Sequence, residues 1–543
     1  MRPSLFLILS LLLAACDGHK SQGSPEAAVE PPSCELLHVT PANALKGAAV
    51  NPRISAIYRS PVAERCASLS LHDATGRPLP TRTVAATEQA LPDGGVAGSM
   101  TIEPASGLEP SASYGIVLAG TPVATFTAGT ERRGQVLAVQ DVTVNVPGLP
   151  AASRIPRKDI NQLADILLKG QLKAHDIPSE VAAVLMPLLR LELPRIADPG
   201  AIHDAQVQRV LYRSTDASGA PVTLSGLLVL PAAAKGGVAV DLNGLPLVLG
   251  QHPSTASTDP APSSGANFML LPGLWAAGKG HLYVAPDLIG LGESATRPQA
   301  FVIAKDASAH TEDLLAAVRE HLQQVHAAQP GPDLRVVGLS QGAFSSMAAL
   351  PALSRHGTVR AVYGGAGPYN IHRTVDSALR AAAGEARDDY SAHADLARLP
   401  EYLRPMLDAM AAYQGLRYDP ATTFDERGAP LPGFLADYRN GKHPALTAHL
   451  AVNSLAEGSQ RHHLPLATVK LYRYSGDTLL AARNTDDMLA RLRQQRPDVP
   501  HAEPGDCREH SPVVREILKH ARSVSTTHLI CFPFVLNDFL GEL

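Results

Sequence analysis

Ten residues set the strongest limit on what this chain can fold into: Arg335-Val336-Val337-Gly338-Leu339-Ser340-Gln341-Gly342-Ala343-Phe344. Leu334 to Leu339 is an apolar run of strand length that follows Pro332, and Gly342 to Leu350 is built of small, helix-compatible residues. Ser340 stands between them with a glycine two residues to either side. A strand that turns this sharply into a helix leaves no room for side chains at the flanking positions. Glycines around a serine are therefore the pattern of a nucleophile elbow, where a strained turn holds the hydroxyl out above a sheet.

The beginning of the chain is not a fold element. Met1-Arg2-Pro3 precedes an apolar run from Leu5 to Leu13, then Ala14-Ala15-Cys16, which is the layout of a signal peptide over residues 1–15. The apolar run is too short for a permanent membrane span. Leu13-Ala14-Ala15-Cys16 resembles a bacterial lipobox, which implies that Cys16 becomes the lipidated first residue of a protein anchored in the cell envelope. Asp17 resembles an inner-membrane retention signal in some bacteria and is read differently in others, so either membrane stays open. Residues 16–33 are mostly Gly, Ser, Pro, Glu and Ala, a flexible tether spanning about 20 to 25 Å.

At 543 residues the chain has room for two to four domains, and a hydrophobic content of 45% suffices for sizeable cores. The formal net charge of -4, with no dense basic segment, gives nucleic acid nothing to bind. Beyond Cys16 there are four cysteines, Cys34, Cys66, Cys507 and Cys531. An even number in an exported chain suggests disulfides, and the sequence grouping favours Cys34 with Cys66 and Cys507 with Cys531. No spacing points to a metal, and His462-His463 reads as a solvated loop.

Residues 34–130 carry short β-prone runs between turns, among them Ile54-Ser55-Ala56-Ile57-Tyr58, Tyr114-Gly115-Ile116-Val117-Leu118 and Ala124-Thr125-Phe126-Thr127, which argue for a β-sandwich. With Thr40-Pro41, Asn51-Pro52, Tyr58 to Val62 and Phe126 to Gly129, this stretch resembles bacterial Ig-like domains of surface proteins. It holds no catalytic constellation, so it reads as a spacer or as an adhesive or substrate-presenting module. Residues 131–205 read as a connector with helices near Lys158–Leu168 and Ser179–Leu191, interrupted by Pro194 and Pro199.

From Gln206 the pattern changes to strands alternating with helices, which implies a parallel sheet covered on both faces. A hairpin spans Gln206 to Pro231, Leu247-Val248-Leu249 is the next strand, and Gly280 to Asp287 is another, running into the turn Ile289-Gly290-Leu291-Gly292-Glu293-Ser294. Ala309 to Val325 is a helix by its period. Together with Gly338-Leu339-Ser340-Gln341-Gly342, these features of residues 206–543 resemble the α/β-hydrolase fold, particularly its secreted lipase and esterase branch. The resemblance implies a mainly parallel sheet, with residues 370–464 as a helical cap over an acyl pocket or as surface elaboration without gating.

A serine hydroxyl is a weak nucleophile and needs a neutral imidazole, itself oriented by a carboxylate. The resemblance implies the chain order serine, acid, histidine. Asp477 follows the strand Thr468 to Tyr474 and adjoins Gly476, although the family often has two residues between that glycine and the acid. Asp486 and Asp487 are competitors on an expected helix. His528 is expected on a loop after the last strand, with His510 and His520 as rivals. For the developing oxyanion the family uses the N–H after the nucleophile, here Gln341, and a donor from the loop after Leu249. That loop has His252-Pro253 where the family has His-Gly, and proline has no N–H, so Ser254 or a neighbour is expected to donate while His252 braces the loop.

The sequence thus points to a lipid-anchored serine hydrolase cleaving carboxylic esters through an acyl-enzyme, without metal or cofactor, on lipid or short-chain substrates. A peptidase or acyltransferase on the same fold is the alternative within enzymes. A non-catalytic adhesion lipoprotein is the alternative outside them.

Overall fold

The computed structural model describes residues 34–543 apart from 64, 147–148, 150, 164–186, 189, 255–259, 459–467, 496–501 and 521–523. The expected signal segment, Cys16, the tether and His462-His463 lie outside the described residues. So does most of the two expected connector helices, of which residues 158–163, 187–188 and 190–191 are described and helical.

Eight strands come first: β1 (Glu35–Thr40), β2 (Leu45–Ala48), β3 (Ile54–Ser60), β4 (Leu69–Asp73), β5 (Thr81–Ala90), β6 (Val96–Pro104), β7 (Ser113–Leu118) and β8 (Thr121–Ala128). They form two four-stranded sheets, ordered β1-β3-β6-β5 and β2-β8-β7-β4. Period-2 burial drives the assembly: Tyr114, Ile116 and Leu118 of β7 point inward in alternation. They share one core with Ile54, Ala56 and Tyr58 from the facing sheet. The Cys34–Cys66 disulfide ties the residue before β1 to the segment between β3 and β4.

The central sheet has ten strands, adding β9 (Val136–Asp141), β10 (Arg154–Ile155), β11 (Asp204–Thr215), β12 (Pro221–Ala232), β13 (Leu247–Gln251), β14 (Leu282–Pro286), β15 (Asp333–Leu339), β16 (Thr358–Gly365), β17 (Thr468–Tyr472) and β18 (Ala502–Gly505). The pairings around β11 and β12 are antiparallel, and from β14 through β13 to β18 all are parallel. Burial on both faces explains why these parallel strands read as continuous apolar runs. Leu282 and Val284 enter one core and Tyr283 and Ala285 the other. The first core is covered by α2 (Ala304–His326) and α3 (Gln341–Leu353). The second is covered by α1 (Leu270–Gly278) and the C-terminal helix Phe532–Phe539.

Residues 370–464 supply α4 (Ile371–Ala382), α5 (Leu399–Gln414), α6 (Pro432–Arg439) and α7 (Pro444–Val452). Their buried side chains, including Leu403, Met410, Phe434 and Leu450, join the first core. After β17 come α8 (Arg483–Gln495), β18, α9 (Pro512–His520) and α10 (Val524–Leu529). Among the described residues no helix is long and apolar enough to cross a membrane.

Two features depart from the sequence expectations. β18 lies within Ala502-Glu503-Pro504-Gly505, too short and too polar to read as a strand. It exists because the backbone of β17 offers it an edge. The N-terminal sandwich is also no loose appendage. Ala42 N–H donates to the Ser218 carbonyl at 2.8 Å in the β11–β12 turn. Arg133, just past the sandwich, donates to Asp313 of α2, and both side chains are buried. Arg53, just before β3, pairs with Glu312, also on α2.

Candidate active site

Ser340 sits between β15 and α3 with φ +51° and ψ -120°, a conformation that costs a non-glycine residue about 1 to 3 kcal/mol. The surroundings enforce it. A Cβ on Gly338 would lie 2.2 Å from the Gly342 carbonyl, and one on Gly342 would lie 2.0 Å from the Gln251 carbonyl. Only glycine lets the start of α3 close against β15 and the end of β13. The Ser340 N–H is held by the Gly365 carbonyl of β16 at 2.7 Å.

The structure brings three of the expected residues together. The Ser340 Oγ lies 2.9 Å from His528 Nε2, and His528 Nδ1 lies 2.8 Å from Asp477 Oδ2. A carboxylate only accepts, so Nδ1 carries the proton and Nε2 is left as an acceptor for the serine hydroxyl. The other carboxylate oxygen, Asp477 Oδ1, accepts the N–H groups of Leu479 at 2.8 Å and Leu480 at 3.1 Å. All three side chains are buried. This line of groups can pass a proton from Ser340 to His528 while Asp477 holds the imidazole in one tautomer and orientation.

The rivals go elsewhere. Asp486 pairs with Arg473 and Asp487 with Arg483, each at 2.7 Å, on α8. His510 is exposed and His520 ends α9. His528 does not lie on a loop as expected; it occupies the last turn of α10. Three residues later Cys531 is bonded to Cys507, which follows β18, so the histidine helix is tied to the sheet edge.

Gln341 is the first residue of α3, where an N–H has no partner within the helix and the helix dipole favours negative charge. Ser254 is exposed. His252 is buried and its Nδ1 donates to the Pro253 carbonyl at 2.7 Å, which folds the ring back on its own loop. Burial holds that imidazole below its usual pKa, against the opposing pull of the Pro253 carbonyl and the Asp287 charge.

Sequence reasoning missed a buried polar knot behind this loop. Asp287, immediately after β14, accepts from the Ser225 hydroxyl of β12, and from both the N–H and the hydroxyl of Ser263 at 2.8 and 2.6 Å. The Asp-x-x-Gly-x-Gly run Asp287 to Gly292 was the available signal. A Cβ on Gly292 would meet Asp287 Oδ2 at 2.2 Å, so this glycine serves the carboxylate.

Neither the protein-family models nor the curated proteins contain a match to this sequence. Solved structures do resemble it. One is described as a "putative hydrolase" from Legionella pneumophila, with a TM-score of 0.53 at 16% identity, covering 75% of this chain and 97% of that one. The rice cell wall degrading esterase LipA from Xanthomonas oryzae has a TM-score of 0.48 at 18% identity, over 73% and 97% of the two chains. Candida antarctica lipase A gives 0.40 at 12%, over 68% and 75%. The first of these carries the argument, and it is one of fold: the chain is a mixed α/β protein with a mostly parallel central sheet, and its fold resembles that of the Legionella structure.

Proposed function

We propose that this protein is a serine hydrolase that cleaves carboxylic esters, with Ser340 as nucleophile, His528 as general base and acid, and Asp477 as the residue that orients His528. The observation that supports it best is the unbroken line from Ser340 Oγ through His528 to Asp477, with contacts of 2.9 and 2.8 Å. In the first half-reaction Ser340 Oγ bonds to the acyl carbon as His528 Nε2 takes the hydroxyl proton. The carbonyl oxygen becomes an oxyanion, for which the Gln341 N–H is a donor. Collapse breaks the bond to the alcohol, which leaves with the proton from Nε2. Water then repeats the sequence on the acyl-enzyme, releasing the acid and restoring Ser340.

The sandwich of residues 34–130 is read as an Ig-like module and Cys16 as the lipid attachment point at the cell envelope, both supported by sequence resemblance.

A fluorophosphonate probe tests the central reading. It should label the wild-type protein at Ser340 and leave Ser340→Ala unlabelled, and the variant should lose ester hydrolysis by on the order of a thousandfold or more. Retention of more than about a tenth of wild-type kcat in Ser340→Ala would overturn the proposal.

A further inference from the structure

The face of the β1-β3-β6-β5 sheet that turns away from the sandwich core is lined with hydroxyls. Ile54, Ala56, Met100 and Ile102 enter that core, so the strand period of two sends Ser55, Ser99 and Thr101 the other way. Register sets Ser55 opposite Thr101 and Thr87 opposite Ser99, which gathers four hydroxyls from three adjacent strands. Against this face stand the start of α2 and the end of α3, and the wall they offer includes the small residues Ala304, Ala309, Ala348 and Ala352. Side chains that short do not fill the gap. A cavity of about 80 Å³ remains, with room for roughly five waters. Thr215 at the end of β11 and Ser308 of α2 bring two more hydroxyls to it. Among the described residues none of these six hydroxyls is bonded to another group of the protein, and those of Ser55, Thr87 and Thr101 belong to side chains that are buried or half-buried. Part of the wall is fixed by amides: Asn453 Nδ2 donates to Gln414 Oε1 at 2.9 Å, and Asn453 Oδ1 accepts the Ala304 N–H at 3.0 Å.

A sheet face that only docks is served best by apolar or mutually bonded side chains, because a polar group taken from water without a partner weakens the fold. The charges on the wall decide what fits instead. Arg53 is matched by Glu103 at 3.0 Å and by Glu312, Lys305 by Asp306 at 3.4 Å, and Asp216 by Arg297 at 2.9 Å. Each charged residue of the lining is thus already paired, and an ion finds no uncommitted counter-charge there. What is uncommitted is the set of hydroxyls, each able to donate and to accept, and Asp306 Oδ2, which faces Lys305 but is buried and accepts no hydrogen bond. We propose that this cavity binds an uncharged polyhydroxylated ligand, a single sugar ring or a smaller polyol, with the hydroxyls of β3, β5, β6 and Ser308 as its partners and Asp306 as an acceptor. Such a ligand replaces the waters of the cavity hydroxyl for hydroxyl. The sandwich then supplies one wall of a ligand site, and bound ligand bridges it to α2. The site shares no residue with Ser340, His528 and Asp477, so it stands whether or not Ser340 is the nucleophile.

Titration of the full-length protein with glycerol, D-glucose, D-galactose, D-mannose and N-acetylglucosamine, followed by saturation-transfer NMR and by melting temperature, tests this. At least one of them should bind with a Kd on the order of 1 to 10 mM and raise the melting temperature with its concentration, as linkage requires. The acid or amine counterpart of the compound that binds should bind at least ~10-fold more weakly, since it must shed its hydration for no opposite charge. Thr87→Val with Thr101→Val keeps the shape and the β-branching and removes two hydroxyls. It should retain wild-type ester hydrolysis and weaken the ligand by ~10-fold or more. Ser308→Ala, on a helix where alanine is favourable, is the second variant and should weaken it about threefold. No binding by any member of the panel up to ~100 mM would leave a cavity that holds water only and would overturn the proposal. Binding that both variants leave unchanged would overturn it too, by placing the ligand elsewhere, as would equal binding of the charged counterpart.

Discussion

Arg133 Nη2 donates to Asp313 Oδ1 at 2.7 Å, joining the segment that leaves the sandwich to the long helix beneath the central sheet, with both side chains buried. Ser214 of β11 donates to the other oxygen of the same carboxylate at 2.6 Å, and Arg133 also reaches Glu103 of β6 at 3.4 Å. One guanidinium therefore neutralises carboxylates from two parts of the molecule. Two charges in a dry interface tolerate each other only as a pair, so neither part presents a complete surface without the other.

Arg133→Met should accordingly destabilise the protein by about 3 to 5 kcal/mol, the range for stranding one buried charge. A chain starting at Val142 should fare worse, losing Arg133, Arg53 and the whole of β9, which pairs with β11. Such a chain holds every proposed catalytic residue and yet is expected not to fold stably. Urea unfolding of the variant, and the yield and circular dichroism of the truncation, measure this. A cooperative, fully active truncation would show that the sandwich is a spacer.

The elbow predicts a second effect. Gly342→Ala places a methyl group 2.0 Å from the Gln251 carbonyl, which is backbone and cannot swing away. Either α3 or the end of β13 must shift, moving Ser340 relative to the loop after β13. The expected outcome is a loss of kcat of at least ~100-fold together with a lower melting temperature. Ala343→Gly, one position along, should cost about 1 kcal/mol of stability and leave the turn intact.

The disulfide beside the histidine predicts a third. Cys507 and Cys531 are bonded across 24 residues, a closure worth ~3 to 3.5 kcal/mol in the chain-entropy account. Cys507→Ser with Cys531→Ser should lower kcat more than it raises KM at temperatures where the protein stays folded, because α10 then holds His528 less firmly. Equal kcat in the double variant at low temperature would confine the bond to global stability.

Buried histidines set a pH dependence of stability. Burial is the leading cause that pushes His38 down to about 3, with Lys305 and His449 adding to it, and that pushes His449, His281 and His356 down to about 4. Unfolded, each has the ordinary value near 6.5. Below that value the unfolded chain binds protons that the folded chain refuses, so stability is full above pH 6.5 and falls as the pH is lowered toward 4. Glu103 adds a separate window. Burial raises its pKa, but Arg53 and Arg133 outweigh this and bring it to about 2, so its contribution is lost only between about pH 4.5 and 2. Urea midpoints from pH 8 to 4 measure the first window, and His449→Gln should flatten it.

The anchor is tested outside the folded unit. Cys16→Ser should free the protein from membrane fractions or block its processing, since lipid chains and not a spanning helix are proposed to hold it. A processed variant that still sediments with membranes would refute the lipid anchor.

What the sequence determined by itself was local or periodic. Gly338 and Gly342 announce the elbow because backbone crowding admits no other residue there, and the continuous apolar runs of β13 to β16 announce buried parallel strands. Cysteine grouping sufficed for both disulfides. The resemblance to the α/β-hydrolase fold, through its order of serine, acid and histidine, named Asp477 and His528, which the structure brings into line with Ser340. Other features were decided only in three dimensions. The strand β18 has no intrinsic β-preference and forms on the edge of β17, because hydrogen-bonding partners outweigh propensity. His528 sits in a helix because Cys531 and the core around Phe532 dictate where that segment runs. The Asp287 knot draws on hydroxyls 24 and 62 positions away, and the docking of the sandwich joins Arg133 to Asp313 across 180 positions of sequence. No periodicity records such pairings, since a buried carboxylate reads in sequence like any solvated one until its partners fold against it.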